Sequence, residues 1–247
     1  MRKPLLLVAV GAILLLLFLL MLWPARVAVG WLLPENVALS GLRGTVWQGT
    51  ATQLNIDGHP VGALSWDAHL FSLLGGRPRW QIELSRASGF ARAEVAVTTS
   101  GSVTVANLTA ASPLAGIADL VELAGTGGNL TLNLPILELE DGMLTALAGR
   151  VVVDSLSPIG LTDVDLGTLE LDVPAEQSPP FSGALSAVSG PLIVEDGRLE
   201  LQADGSYTVS GRVKARDDAP QDIRQGLQFL GAPDPNGFYP FLQRGSL

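Results

Sequence analysis

Residues 191–215 read PLIVEDGRLELQADGSYTVSGRVKA. Leu199 and Leu201 alternate with Glu200 and Gln202, and Val209 and Val213 with Ser210, Arg212 and Lys214. A period of two marks a strand with one dry and one wet face. Asp196-Gly197 and Asp204-Gly205 interrupt the run. Both residue types tolerate the positive φ that a two-residue type I′ hairpin turn demands at its centre. The stretch therefore predicts a three-stranded antiparallel meander that turns at both pairs.

The same alternation recurs outward from there. Leu130, Leu132 and Leu134 alternate with Asn129, Thr131 and Asn133; Leu169, Leu171 and Val173 with Thr168, Glu170 and Asp172; Leu137 and Leu139 with Glu138 and Glu140. Half-buried strands of this kind belong to antiparallel sheets. Asp57-Gly58 and Asp141-Gly142 predict two further hairpins. Helical signals are few. Ser112-Pro113 is followed by Leu114, Ile117, Val121 and Ala124 at helical spacing, ending near Gly125. Pro220 precedes Ile223, Leu227 and Leu230, with Gly231 and Pro233 behind. Residues 68–74 are a weaker third candidate.

Residues 4–23 carry no charge and follow Arg2 and Lys3. Twenty helical residues at about 1.5 Å each span roughly 30 Å, the thickness of a bilayer's hydrocarbon core. A cleaved signal peptide has a shorter apolar stretch and a small-x-small exit. The exit here, Trp23-Pro24-Ala25-Arg26, favours a retained anchor, with Leu5, Leu14, Phe18 and Trp23 as its membrane-facing residues. Cations ahead of the span place the N-terminus in the cytoplasm. Residues 1–25 are thus expected to be cytoplasmic end and transmembrane anchor, and 26–247 a periplasmic β-rich domain anchored in the inner membrane. The proline-rich stretch 175–180 is its best internal boundary, read as a long loop. Trp31-Leu32-Leu33 fits equally an interfacial segment or a first core strand.

The fold class expected is mainly β: a single N-terminal transmembrane helix, then an antiparallel, meander-rich curved sheet or a sandwich or barrel, with one or two short helices. All 24 Asp and Glu lie beyond the span, and the chain's net charge is −9. That excess of negative charge argues against nucleic acid and against adhesion to anionic headgroups. Arg77, Arg79, Arg86 and Arg92 cluster, whereas residues 93–149 hold no Lys or Arg. The cluster is a candidate docking patch for an acidic partner; the competing reading is solvated arginines on one strand face. The chain has no cysteine, so the domain is held by packing without disulfides.

Catalytic signatures are missing from the sequence. His59 and His69 have no cysteine or carboxylate cluster beside them, which excludes an ordinary zinc set. No nucleophile elbow or phosphate loop occurs. Asp163-x-Asp165-x-Gly167 lacks the third acidic position and the distant bidentate glutamate of a calcium loop. Neither enzymatic activity nor a metal or cofactor is expected. Residues 39–49, LSGLRGTVWQG, surround a tryptophan with glycines, as where backbone approaches a bulky ring; a glycine-bounded strand with Trp47 in the core fits as well. Residues 227–237, LQFLGAPDPNG, join a helix end to a turn.

Together with the anchor, Leu64-Ser65-Trp66, Gly190-Pro191-Leu192 and Asp204-Gly205-Ser206-Tyr207, these segments make the chain resemble the type II secretion system protein N family, of the general secretion pathway. The likeness rests on Gly44, Trp47, Gly49, Trp66, Gly190, Pro191, Gly231, Asp234 and Gly237 and covers nearly the whole chain. Phe238 departs from it, standing where the family tends to carry arginine. The resemblance implies a single-pass inner-membrane component without enzymatic activity. Its implied partners are other inner-membrane platform proteins of the system, with the secretin or exported cargo beyond them.

A second reading comes from the sheet. A long meander can leave its apolar face open as a trough for acyl chains, and the pattern is also similar to that of AsmA-like periplasmic proteins associated with lipid handling. Leu130, Leu132, Leu134, Leu169 and Leu171 would line such a lipid groove; in the competing reading they fill a closed core. Unpaired sheet edges also invite strand addition by a partner.

Overall fold

The computed structural model describes residues 11, 15, 18–34, 36–69, 72, 77–98, 101–117, 126–157, 164–175 and 178–246. The expected anchor residues Leu5 and Leu14 lie outside them. No helix among the described residues is long and apolar enough to cross a membrane. Contacts divide the chain into two compact units, Met1–Arg86 and Ala87–Leu247.

In the first unit, residues 18–21 are helical and helix α1 (Ala25–Leu32) begins directly behind Pro24. It stops at Leu33, whose extended backbone (φ −85°, ψ 140°) is what a residue ahead of a proline adopts. Residues 31–33 therefore end a helix and start no strand. Strands β1 (Val37–Ser40), β2 (Arg43–Gly44), β3 (Gln48–Ile56), β4 (His59–Ala68) and β5 (Arg79–Arg86) follow, in the order β1-β3-β4-β5 with β2 also on β3. Asp57 and Gly58, both at positive φ, close the β3–β4 hairpin as expected. Of the candidate helix over 68–74, Ala68 instead ends β4; residues 70, 71, 73 and 74 lie outside the described set. Ala25 and Ala28 of α1 are buried.

The second unit is one antiparallel meander in which each strand pairs with the next. Its strands are β6 (Gly89–Val97), β7 (Val103–Pro113), β8 (Gly127–Glu140), β9 (Met143–Ser157), β10 (Thr168–Val173), β11 (Phe181–Ser189), β12 (Leu192–Leu201), β13 (Ser206–Ala215) and β14 (Tyr239–Ser246). Among the described residues nothing pairs β14 with β6, so this sheet does not close into a barrel. Residues 174–180 connect β10 and β11, which pair with each other. Helix α2 (Leu114–Ile117) opens one residue later than the capping signal puts it: Ser112 and Pro113 end β7, and the Ser112 hydroxyl donates to the Pro113 carbonyl instead of capping; residues 118–125 lie outside the described set. Helix α3 (Gln221–Leu227) runs into a 3-10 turn at Gln228–Leu230, matching the C-terminal expectation.

The meander over 191–215 needs correcting. Asp196-Gly197 is not a turn: β12 runs through it, with Arg198 pairing Ala184 on one side and Ser210 on the other. Asp196 takes positive φ (52°) in a bulge that shifts the β12–β13 register. A bulge and a type I′ turn demand the same backbone freedom, so the residue pair alone cannot separate them. Asp204-Gly205 does turn, with only Gly205 at positive φ and the Gly205 N–H donating to the Gln202 carbonyl. The three-residue loop thus formed differs from a type I′ pair.

Two small cores hold the second unit. Phe181, Leu144 and Leu201 form one, flanked by Leu137, Leu139, Leu147 and Tyr207. Ile223 of α3 presses on Leu192 and Val213 to form the other, flanked by Tyr239 and Phe241. The helix thereby covers one part of the sheet's apolar face.

Candidate functional site

In the first unit, tryptophans grip one turn. Thr45 Oγ1 accepts the backbone N–H groups of Trp47 and Gln48 at 3.2 Å each, which folds residues 45–48 tightly. The Trp66 indole N–H donates to the Thr45 carbonyl (3.0 Å) and that of Trp80 to the Val46 carbonyl (3.2 Å). The turn in turn holds the N-terminal segment. The Trp47 indole N–H donates to the Leu20 carbonyl (2.8 Å), and the Val46 N–H to the Trp23 carbonyl (3.1 Å). The Leu20 carbonyl also accepts the Trp23 N–H (3.3 Å), so the latch adds a second donor at a helix end, where carbonyls are short of intrahelical partners.

Gly49 makes the latch compact. It pairs with Trp66 across β3 and β4, and a Cβ there would collide with the Trp66 ring and lie 2.5 Å from the Arg43 carbonyl oxygen. The ring that the glycine admits is Trp66, not Trp47. Trp47→Phe keeps an aromatic ring but deletes the bond to Leu20, which is expected to cost about 1 kcal/mol. Protease cleavage behind Arg26, just beyond the uncharged run, should then accelerate about fivefold, as followed by mass spectrometry.

The second unit carries a locked C-terminal turn. Asp234 Oδ1 accepts the N–H groups of Asn236 (2.8 Å) and Phe238 (2.9 Å), and Oδ2 meets Arg212 Nη1 at 3.3 Å. Arg212 also contacts Glu195 (3.0 Å) and Asp196 (2.6 Å), which joins the turn to the β12 bulge. Phe238 lies under both Arg212 (5.6 Å) and Lys214 (5.5 Å), so in this chain an aromatic face receives the two cations.

The Phe238 N–H, then the Asn236 N–H and Arg212, hold the Asp234 carboxyl below the ordinary carboxylate range. A depressed folded-state value means that its stabilisation is complete above the unfolded value and is lost as pH falls through the folded one. Denaturation midpoints measured at about pH 7 and about pH 3 should therefore draw together in Asp234→Asn relative to the parent chain.

The four arginines are divided between the two units. Arg77, Arg79 and Arg86 belong to the first unit and Arg92 to the second. Arg77 and Arg79 are exposed, whereas Arg86 is half-buried and donates to the Pro60 carbonyl (2.8 Å). With no register shift along β4–β5, Arg79 and Arg86 point to opposite faces of β5. Arg92 covers the Phe90 ring at 5.7 Å.

The leucines do converge. Leu132, Leu134 and Leu171 line one apolar cavity of about 570 Å³ with Leu137, Leu139 and Leu144. Leu130 and Leu169 lie one row along the same face, each opposite Val153. A bulge between Asn133 and Ile136 switches the alternation, which is why Leu134 and Leu137 face the same way.

The family model for the type II secretion system (T2SS), protein N, matches residues 35–242. The chain belongs to the type II secretion system protein N family. Two relatives carry that name at full length. The Vibrio cholerae protein is 31% identical over 238 residues, covering 91% of each chain. The Aeromonas hydrophila protein is 27% identical over the full length of both. No solved structure matches.

Membership in the type II secretion protein N family was legible in residues that the structure gathers into three places. Gly44, Trp47, Gly49 and Trp66 build the latch; Gly231, Asp234 and Gly237 shape the terminal turn. Gly190 (φ 100°) stacks against Gly167, and the Pro191 carbonyl accepts the Arg216 N–H at 2.8 Å. Sequence reasoning missed Trp80 and the carbonyls of Leu20 and Trp23. Backbone acceptors leave no sequence trace; the one available signal was that all five tryptophans fall within residues 23–80.

Proposed function

We propose that this chain is a single-pass inner-membrane component of the type II secretion pathway that supports protein export by contact rather than by catalysis. Its N-terminus is cytoplasmic, and the part of the first unit beyond residue 25 and the whole second unit are periplasmic. The observation that carries the reading is the latch, which ties a family-typical domain to the carbonyls of Leu20 and Trp23 at the end of an uncharged run. Residues 18–23 support it further, since Phe18, Leu19, Met21, Leu22 and Trp23 are exposed, as lipid-facing residues would be. Partners are other inner-membrane platform proteins, with the secretin or cargo beyond. Arg77→Glu with Arg79→Glu is expected to lower recovery of a platform partner in pull-downs while leaving folding intact, because exposed charges cost little stability. Unchanged recovery would remove this surface from the docking account.

The apolar cavity of the second unit favours a second reading, a lipid groove in the manner of AsmA-like proteins. Its roughly 570 Å³ lies in the size range of small-molecule sites and is lined almost wholly by aliphatic side chains. Lipid that co-purifies with the full-length chain and is lost in Leu171→Trp would support it. Absence of bound lipid from the parent chain would count against it.

A further inference from the structure

At the foot of the N-terminal segment lies another apolar pocket, of about 190 Å³, that the docking account does not use. Ala28 and Val29 of α1 form one wall, and Leu64, Trp66, Trp80 and Ile82 of β4 and β5 the other. The space exists because α1 turns alanines, Ala25 and Ala28, toward a sheet face floored by indoles. The Trp66 and Trp80 N–H groups are spent on the Thr45 and Val46 carbonyls, so the rings offer the pocket only their apolar surfaces. The pocket therefore has nothing to offer a polar ligand.

Its position names the occupant. Ala25 follows Trp23 by two residues, and the latch fixes the Trp23 and Leu20 carbonyls to the turn that includes Val46, itself a lining residue. Just ahead of the pocket, Phe18, Leu19, Met21, Leu22 and Trp23 are exposed, and tryptophan favours headgroup depth. We infer that the pocket receives the end of an acyl chain from a lipid of the membrane that holds residues 4–23. A cavity near 150 Å³ admits a benzene ring, so this one takes the terminal stretch of a chain and not a whole lipid. The site adds a lipid grip to the helix as a second hold on the bilayer. It rests on the reading of residues 4–23 as a membrane segment.

The test is photocrosslinking of the full-length chain in phosphatidylethanolamine–phosphatidylglycerol vesicles doped with a phosphatidylcholine bearing a diazirine at its acyl terminus, with adducts mapped by mass spectrometry. The expected result is labelling within residues 4–23 and also of Leu64 and Ile82. Ala28→Phe, or Ala28→Leu should the larger ring impair folding, fills the pocket. Either variant is expected to abolish labelling at Leu64 and Ile82 and to leave that within residues 4–23. Labelling confined to residues 4–23 in the parent chain would overturn the pocket and leave the membrane reading standing. Labelling at neither place would overturn both. Labelling of Leu64 and Ile82 that survives in a folded filled variant would mean surface adsorption and overturn the pocket.

Discussion

A Phe181→Ala chain is expected to lose about 3–5 kcal/mol of stability, as large-to-small changes at a buried aromatic do. Phe181 is the largest fully buried side chain among the described residues, 1% exposed, and it joins Leu144 of β9 to Leu201 of β12. Its removal opens a hole that the flanking leucines cannot fill, because they are already committed to the sheet's register. Leu139 pairs with Leu144, and Phe181 itself with Leu201. Chemical denaturation followed by circular dichroism reads the loss. Tryptophan emission does not report on this unit, since all five tryptophans lie within residues 23–80. A loss below about 1 kcal/mol would mean that Phe181 is not the keystone of that core.

Gly49→Ala is expected to cost about 3 kcal/mol, the upper end of what one added carbon costs in a tightly packed place. The new methyl group would meet two things that cannot yield together, the Trp66 ring and the Arg43 carbonyl. Moving the ring breaks its indole bond to Thr45, and moving the backbone breaks the β2–β3 pairing of Gly44 with Gly49. Here tryptophan emission is the direct readout, because the damage falls on the indole cluster. A red-shifted spectrum and a lowered denaturation midpoint are expected; an unchanged spectrum would show that the close approach is dispensable.

These two positions also mark how far the sequence could be read. Alternation identified the strands because half-buried antiparallel sheets write their faces into the chain, and helix α3 was legible from Pro220, Ile223, Leu227 and Gly231. Asp196-Gly197 misled because a bulge and a hairpin share one backbone requirement, and only the neighbouring strands β11 and β13 decide between them. Gly49 announced a close approach without naming the ring, since Trp66 arrives from 17 residues away through the β3–β4 register. The leucines were legible as a face, whereas their gathering around one cavity depended on the bulge near Pro135. The arginines were legible only as neighbours in sequence, and strand parity sends Arg79 and Arg86 to opposite faces of β5.

The central claim is that an uncharged N-terminal run tethers residues 26–247 outside the cytoplasm. The absence of cysteine from the chain makes it directly measurable. Single cysteines placed at Arg2 and at Asp204 are to be treated in intact cells with a membrane-impermeant maleimide admitted through the outer membrane. The account predicts labelling at position 204 and none at position 2 until the inner membrane is broken. Protection of position 204 in intact cells, with labelling only after lysis, would contradict it.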